Sequence, residues 1–309
     1  MTETADPAAP TPAPALEASH RPPRAATAAV RVAGGRWQDD VRAVRVVWKR
    51  ELIRFGRNRM RIVTSLVQPV LFLFVLGTGL SAMISRGLPI RGHVNFRTFI
   101  FPGVVAMTIL FTSIFSAVSI VWDREFGFLR EMLVAPVRRG ALVSGKCAGG
   151  ATVATIQGTI MLALAGLVGI PYTPALLLSL FGMMLLAAIA ITAFGTALAS
   201  RMAQVESFQV VMQFVVLPLF FLSGALFALR NLPGWLTVLT KLDPLTYVVD
   251  PMRRTVFEYV PTTPAVRHVF DVPVTWGSWV VPVPVELALV AAFGATMLGV
   301  AVANFSKVD

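Results

Sequence analysis

Gly140, Gly145, Lys146 and Cys147 sit at the spacing of a phosphate-binding loop. The pattern G-x-x-x-x-G-K-(S/T) ends on a hydroxyl that holds magnesium, but this run ends on a thiol. No strand-like segment precedes it and a long apolar stretch follows, so nucleotide chemistry is not expected from this chain. His20, His93 and His268 are isolated, with no metal-ligand spacing. Cys147 is the sole cysteine, which excludes an internal disulfide and a cysteine-rich metal site. No nucleophile elbow and no H-E-x-x-H pair occurs. The remaining chemistry is polar groups in apolar surroundings. Gln68, Gln157, Gln209 and Gln213 each interrupt an apolar run. Such side chains are costly against lipid, so they should face other helices or a cavity. Gln209 and Gln213, four apart, share a helix face. Two readings stay open: they join helices, or Gln68, Gln209 and Gln213 line a substrate path together with Phe214, Phe220 and Phe221. Glu286 opens the last apolar block, where it either caps a helix start or attracts a cation.

The elements that must position these groups are membrane spans. Apolar residues make up 56% of the chain and charged residues 14%, against ~25% charged in soluble domains. The fold expected is an all-α membrane protein: an in-plane amphipathic helix, six transmembrane helices, and a re-entrant outer segment before the last span. The apolar blocks run near 62–84, 99–121, 141–170, 175–199, 207–229 and 280–304, each long enough for the ~20 residues of a hydrocarbon core. Residues 1–36 are rich in Ala and Pro, lack the apolar run of a signal peptide, and read as a disordered cytoplasmic tail. Residues 37–61 read as an interfacial helix. Trp37, Val41, Val44, Trp48, Leu52 and Phe55 form one stripe, and Arg42, Lys49, Arg50 and Arg57 cover the other side. A nucleic-acid partner is not expected despite the net charge of +11, because the basic residues flank the spans and no recognition fold stands behind them.

Orientation follows those basic residues. Residues 1–61 hold twelve Lys and Arg, the loop 122–146 five, and Arg201 and Lys307 one each. That places nineteen of twenty-seven on one side, read as cytoplasmic with both termini. The outer segment 230–279, with its many Pro and Trp, reads as two short helices dipping into the outer leaflet, shielded by protein. One measurement checks this sidedness. On a Cys147→Ala background, a cysteine at Thr262 should react with an impermeant thiol reagent in intact cells and one at Ala8 should not. The reverse pattern would invert the topology.

Between the second and third spans lies the most charged loop. Trp122, Phe126, Leu129 and Leu133 fall on one side of a helical wheel, and Asp123, Arg124, Arg130 and Glu131 on the other. Pro136 stops the helix. Glu125 sits inside the apolar arc, where it either meets a partner, Arg50 or Arg54 of the preceding helix or a group on another subunit, or snorkels to water.

The run Arg124-Glu125-Phe126-Gly127-Phe128-Leu129-Arg130-Glu131-Met132-Leu133-Val134-Ala135-Pro136, followed by Arg139 and Gly145-Lys146, resembles the cytoplasmic-loop signature of type-2 ATP-binding-cassette transporter permeases. The closest likeness is to the antibiotic-resistance branch of daunorubicin-exporter type. A second stretch is similar in order and spacing: Leu222-Ser223-Gly224-Ala225-Leu226-Phe227, Leu232-Pro233, then Asp243-Pro244-Leu245-Thr246-Tyr247 with Arg253. Ala228 and Asp243 stand where the family often has Pro and Asn. The resemblance implies a permease domain over 62–305 with a coupling loop at 122–140. Arg124, Glu125, Phe126, Gly127, Leu129, Glu131, Leu133, Pro136 and Arg139 would meet the ATPase. It implies two ATP-binding subunits that carry ATP and magnesium, a second permease copy or sister permease, and a plasma-membrane location. The implied activity is export of amphipathic drugs or lipids. Export of polysaccharide or lipid-linked glycan, or a non-transporting channel or anchor, are the alternatives.

Overall fold

The computed structural model describes residues 37–81, 96–127, 138–230, 232–261, 270 and 272–306, the side chain of Arg61 excepted. Leu129, Glu131, Leu133 and Pro136 of the loop, the tail 1–36, Ala8 and Thr262 lie outside the described residues.

Helix α1 (Trp37–Arg57) is followed after Asn58 by α2 (Arg59–Leu71). Pro69 removes one backbone donor inside α2, and a π-helical turn over Phe72–Leu76 follows before the helix resumes. Then come α3 (Phe96–Glu125) and α4 (Arg139–Leu162), the latter with a 3-10 turn at Ala165–Val168. Helices α5 (Pro174–Ala199) and α6 (Val205–Leu222) follow. The short pair α7 (Gly234–Leu242) and α8 (Thr246–Tyr259) precedes a hairpin of β1 (Thr275–Trp276) and β2 (Trp279–Val280), and α9 (Val283–Ser306) closes the described chain. The fold is all-α apart from that hairpin.

Among the described residues, five stretches are long and apolar enough to cross a membrane: Ile62–Ser81, α3, α5, α6 and α9. Helix α4, at 24 residues, is long enough. Its apolarity falls short of theirs because Lys146, Gln157, three threonines and five glycines lie along it.

Helix α3 is the hub. The apolar window of α3 is 83% buried, against 17% for Ile62–Ser81 and 22% for α6. Helices α2, α4, α5, α6 and α8 all pack on it. The rim helices turn apolar faces outward: Val63, Val67, Leu71 and Val75 on the first, Phe214, Leu217 and Phe221 on α6.

The loop helix expected to begin at Trp122 is not separate. Helix α3 runs through Trp122, Asp123, Arg124 and Glu125 without a break and ends at Gly127, whose φ of +79° suits glycine alone at low cost. Nothing before Gly127 interrupts the hydrogen-bond ladder, so these four residues are the last turn of a membrane-length helix.

Helix α1 also differs from its expected face. It lies on α4, and its buried residues are Asp40, Val47 and Glu51. Trp37 and Val41 of the apolar stripe are exposed, while Trp48 donates from Nε1 to Thr152 Oγ1 at 3.0 Å. The rotation follows from ion pairing: two acids face the protein because their basic partners are there. Gly145 and Gly149 permit the approach. A Cβ on Gly145 would stand 2.9 Å from Val47 Cβ, and one on Gly149 2.7 Å from Glu51 Cβ.

Candidate functional site

The two ends of the 122–140 loop stitch together the helix ends around them. Arg124 Nη1 donates to the carbonyls of Ser200 and Met202, each at 3.1 Å, just beyond the C-terminus of α5. Glu125 Oε2 accepts from the Val205 N–H at 3.0 Å, the first residue of α6, a helix that no side chain of its own N-cap satisfies. A cation at a helix C-terminus and an anion at an N-terminus are each favoured by the helix dipole. Arg139 Nη1 donates to the carbonyls of Phe305 (3.2 Å) and Ser306 (3.1 Å) at the end of α9. Asp40 of α1 accepts from the Arg138 N–H at 3.2 Å and pairs with its guanidinium at 3.4 Å. Asn304 Nδ2 donates to Ser200 Oγ at 3.0 Å. Four neighbouring loop residues thus hold α1, α5, α6 and α9. Phe126 is 68% exposed beside them.

Behind this rim lies a buried charge cluster. Lys146 of α4 pairs with Asp123 of α3 and lies 3.8 Å from Glu51 of α1. Arg50 reaches Asp123 at 3.0 Å and Glu51 at 3.3 Å. The Asp123 and Glu51 carboxylates raise the Arg50 guanidinium above its ordinary value, against the opposing effect of burial. Residues 140–147 are therefore helix, with Gly145 making room for α1 and Lys146 bound to a carboxylate. Their backbone forms no cradle for phosphate.

A chamber of about 460 Å3 opens next to this cluster. The α1–α2 elbow, α3 and α4 form its walls, with Gln209 contributed by α6. Gln157 closes one side with both ends of its amide in use: Nε2 donates to Ser65 Oγ at 2.6 Å, and Thr112 Oγ1 donates to its Oε1.

At the opposite end of the bundle the Asp243–Arg253 stretch folds the α7–α8 pair. Asp243 Oδ1 accepts from the Leu245 N–H at 2.9 Å, a side-chain turn that starts α8 after Pro244. Burial pushes the Asp243 carboxyl up to about 7, against the Leu245 and Thr246 hydrogen bonds. Thr246 donates to the Thr240 carbonyl at 2.7 Å and Tyr247 to that of Lys241 at 2.8 Å. Arg253, fully buried, donates to the Gly224 carbonyl and lies 4.2 Å over the Phe99 ring. Arg254 bridges Asp250 and Glu286, the latter at 3.0 Å, and donates to the Val281 carbonyl at 2.8 Å.

Residues 42–257 match the family described as ABC-2 type transporter. The chain belongs to the ABC-2 type transporter family. It is 31% identical over 211 residues to the transport permease ycf38 of Cyanophora paradoxa, covering 67% of this chain and 72% of that one. It is 27% identical to nodulation protein J of Rhizobium leguminosarum bv. viciae, over 68% of this chain and 80% of that one. It is 30% identical to the multidrug ABC transporter permease YbhR of Escherichia coli, over 51% of this chain and 43% of that one. As an ABC-2 permease it is a multi-pass membrane subunit that works with an ATP-binding partner.

In this ABC-2 permease several expected placements change. Glu125 is exposed and caps α6, so it needs no arginine; Arg50 is engaged by Asp123, and Arg54 lies over Trp122 at 4.9 Å. Gln68 and Gln209 line the chamber, but Gln213, Phe214, Phe220 and Phe221 do not. Gln213 and Phe214 are exposed, and Phe220 packs on Phe72 and Phe221 with centroids 6.1 and 5.7 Å apart. The stripe Phe208, Met212, Val216 and Phe220 is what α6 turns inward. Glu286 neither faces the chamber nor stands free at the outer surface; it is fully buried against Arg254. Asp40 and Glu51 are not singled out by the sequence, and Asp123 and Lys146 read there only as part of a polar face and of a broken phosphate loop. A lysine inside an apolar block was the available signal, since such a charge demands a carboxylate.

Proposed function

We propose that this chain is the membrane-spanning subunit of an ATP-driven exporter of amphipathic compounds, with ATP hydrolysed on a separate subunit. Helix α4 is taken as the sixth crossing and α7–α8 as the re-entrant pair. The termini and the 122–140 loop face the cytoplasm, the membrane is the plasma membrane, and a second copy or sister permease completes the pathway. The observation that carries the reading is the stitched rim. A push on the loop by an ATP-binding subunit acts directly on the ends of α1, α5, α6 and α9, so the bundle tilts as rigid helices. Leu129, Glu131, Leu133 and Pro136, together with the exposed Phe126, would supply the contact to that subunit. The apolar faces of α2 and α6 suit a second permease copy, and the chamber's mixture of amide and aromatic groups suits amphiphiles. The multidrug name of the YbhR relative leans the same way.

The test is amphiphile-stimulated ATP hydrolysis by the permease reconstituted with its ATP-binding partner. The pair Arg124→Ala and Glu125→Ala removes three helix-end hydrogen bonds, worth ~1 kcal/mol each, so stimulation should fall about tenfold or more. Co-purification of the two subunits should persist. Glu125→Gln should keep part of the stimulation, because an amide oxygen still accepts from the Val205 N–H. Full stimulation in the double variant would remove the rim from the transmission route.

A further inference from the structure

We propose that the chamber between the α1–α2 elbow, α3 and α4 binds an amphiphile with an anionic head, a phosphate or carboxylate, held by Arg54, with its tail along the aromatic wall. The assignment deepens the export reading and rests on it for the chamber's place on the transport route.

Size comes first. About 460 Å3 falls within the ~300–1,000 Å3 of sites that hold drug-sized ligands. The sign of the head follows from the charges around it. The charged residues of the lining are Glu51 and Arg54. Glu51 is already engaged by Arg50 at 3.3 Å and by Lys146 at 3.8 Å, and Asp123 holds the same two cations. Arg50, Arg54 and Lys146 outnumber these two carboxylates by one charge. The surplus is Arg54. It is exposed, and among the described residues no carboxylate lies within ion-pair distance of it. Its guanidinium rests 4.9 Å from the centroid of the Trp122 ring, which leaves its edge donors for a bidentate oxyanion. A cationic head would meet that surplus, and the Glu51 it would need is already shared by Arg50 and Lys146 through its Oε1.

The walls suit the rest of such a molecule. Phe111 and Phe115 stack with centroids 6.3 Å apart, and Phe55 and Trp122 complete an aromatic surface for a chain or ring. Gln68 and Gln209 also line the space. Unlike Gln157, neither amide has a hydrogen-bond partner among the described residues, so both are available to a polar linker behind the head.

The test uses the full chain in phosphatidylcholine nanodiscs, with no nucleotide and no ATP-binding subunit. Two probes share a twelve-carbon chain bearing a nitroxide quencher and differ in the head, phosphate or trimethylammonium. The signal is the saturable quenching present in wild type and absent in Trp122→Phe. The phosphate probe should bind at least about tenfold tighter than the ammonium probe, the scale of one charge-assisted contact. Arg54→Gln should abolish that preference and Arg54→Lys should keep its sign. Gln68→Leu combined with Gln209→Leu should weaken both probes. Inorganic phosphate at millimolar concentration should not displace the phosphate probe. Equal binding of the two heads, or a preference that survives Arg54→Gln, overturns the head assignment. Displacement by inorganic phosphate overturns the amphiphile, and no Trp122-dependent quenching overturns the chamber. Unfolding of Arg54→Gln, followed with a thiol dye at Cys147, would shift the decision to Arg54→Lys, where a lost preference overturns the proposal. With nucleotide absent, failure here leaves the coupling result for Arg124 and Glu125 standing, and the converse also holds.

Discussion

Replacing Asp123 by alanine is expected to destabilise the permease by ~3–5 kcal/mol. The residue is 6% exposed, and its carboxylate accepts from Lys146, also 6% exposed, and from Arg50. Removing it leaves the ammonium of Lys146 buried with Glu51 at 3.8 Å and the Ser119 carbonyl at 3.4 Å as its partners. The cost is that of an uncompensated charge, which exceeds the net worth of the pair. The melting temperature should fall by on the order of 10 °C. A thiol-reactive dye reads the transition conveniently, because Cys147 is the sole cysteine and is buried. Asp123→Asn should fall less, since an amide still accepts one hydrogen bond. The combination of Asp123→Leu with Lys146→Met should recover most of the loss, as apolar replacements of buried pairs generally do. An unchanged transition in Asp123→Ala would show that Lys146 reaches water.

The second large effect is steric. Gly149→Val should drive α1 off α4. Even its Cβ would stand 2.7 Å from Glu51 Cβ and 3.0 Å from Cγ, and the two methyl groups lie beyond it. Neither helix backbone can yield locally, so the Trp48–Thr152 hydrogen bond and the Glu51–Lys146 contact go together. Overpacking of this kind costs ~1–3 kcal/mol, which corresponds to roughly 5- to 150-fold more frequent opening. A cysteine at Val47, buried against α4, reports it on a Cys147→Ala background. Maleimide labelling from the aqueous phase should accelerate by about that factor. Continued protection of Val47→Cys in the glycine variant would mean that α1 is held elsewhere.

Much of the architecture was legible because it rests on block hydrophobicity, which needs only local composition. The spans near 99–121, 175–199 and 280–304 each appear as a helix shifted by a few residues at the ends, and that near 207–229 as one that stops seven residues short, at Leu222. What failed was the wheel begun at Trp122, because a helix is ended by its breaker. Gly127, with its positive φ, is that breaker and lies five residues further on. The roles of Arg124 and Glu125 could not be read locally, since their partners are backbone groups 76 to 80 residues away. A carboxylate accepting from a distant N–H leaves no trace in side-chain spacing. The face of α1 was misread for a related reason: amphipathicity assumes that acids seek water, and Asp40 and Glu51 instead seek Arg138, Arg50 and Lys146.

Helix α4 also says something about how the protein is made. Taken as a crossing, it is the least apolar one, and a translocon would insert it poorly by itself. Its most polar interior side chains find partners that were synthesised earlier. Lys146 meets Asp123, 23 residues before it; Gln157 meets Thr112 and Ser65; Thr152 meets Trp48. A nascent chain that has just emitted Leu162 therefore already contains the partners of Lys146, Gln157 and Thr152. Insertion of the awkward segment is templated by the helices ahead of it, and the membrane-length helices α5, α6 and α9 that follow can enter on their own greasiness.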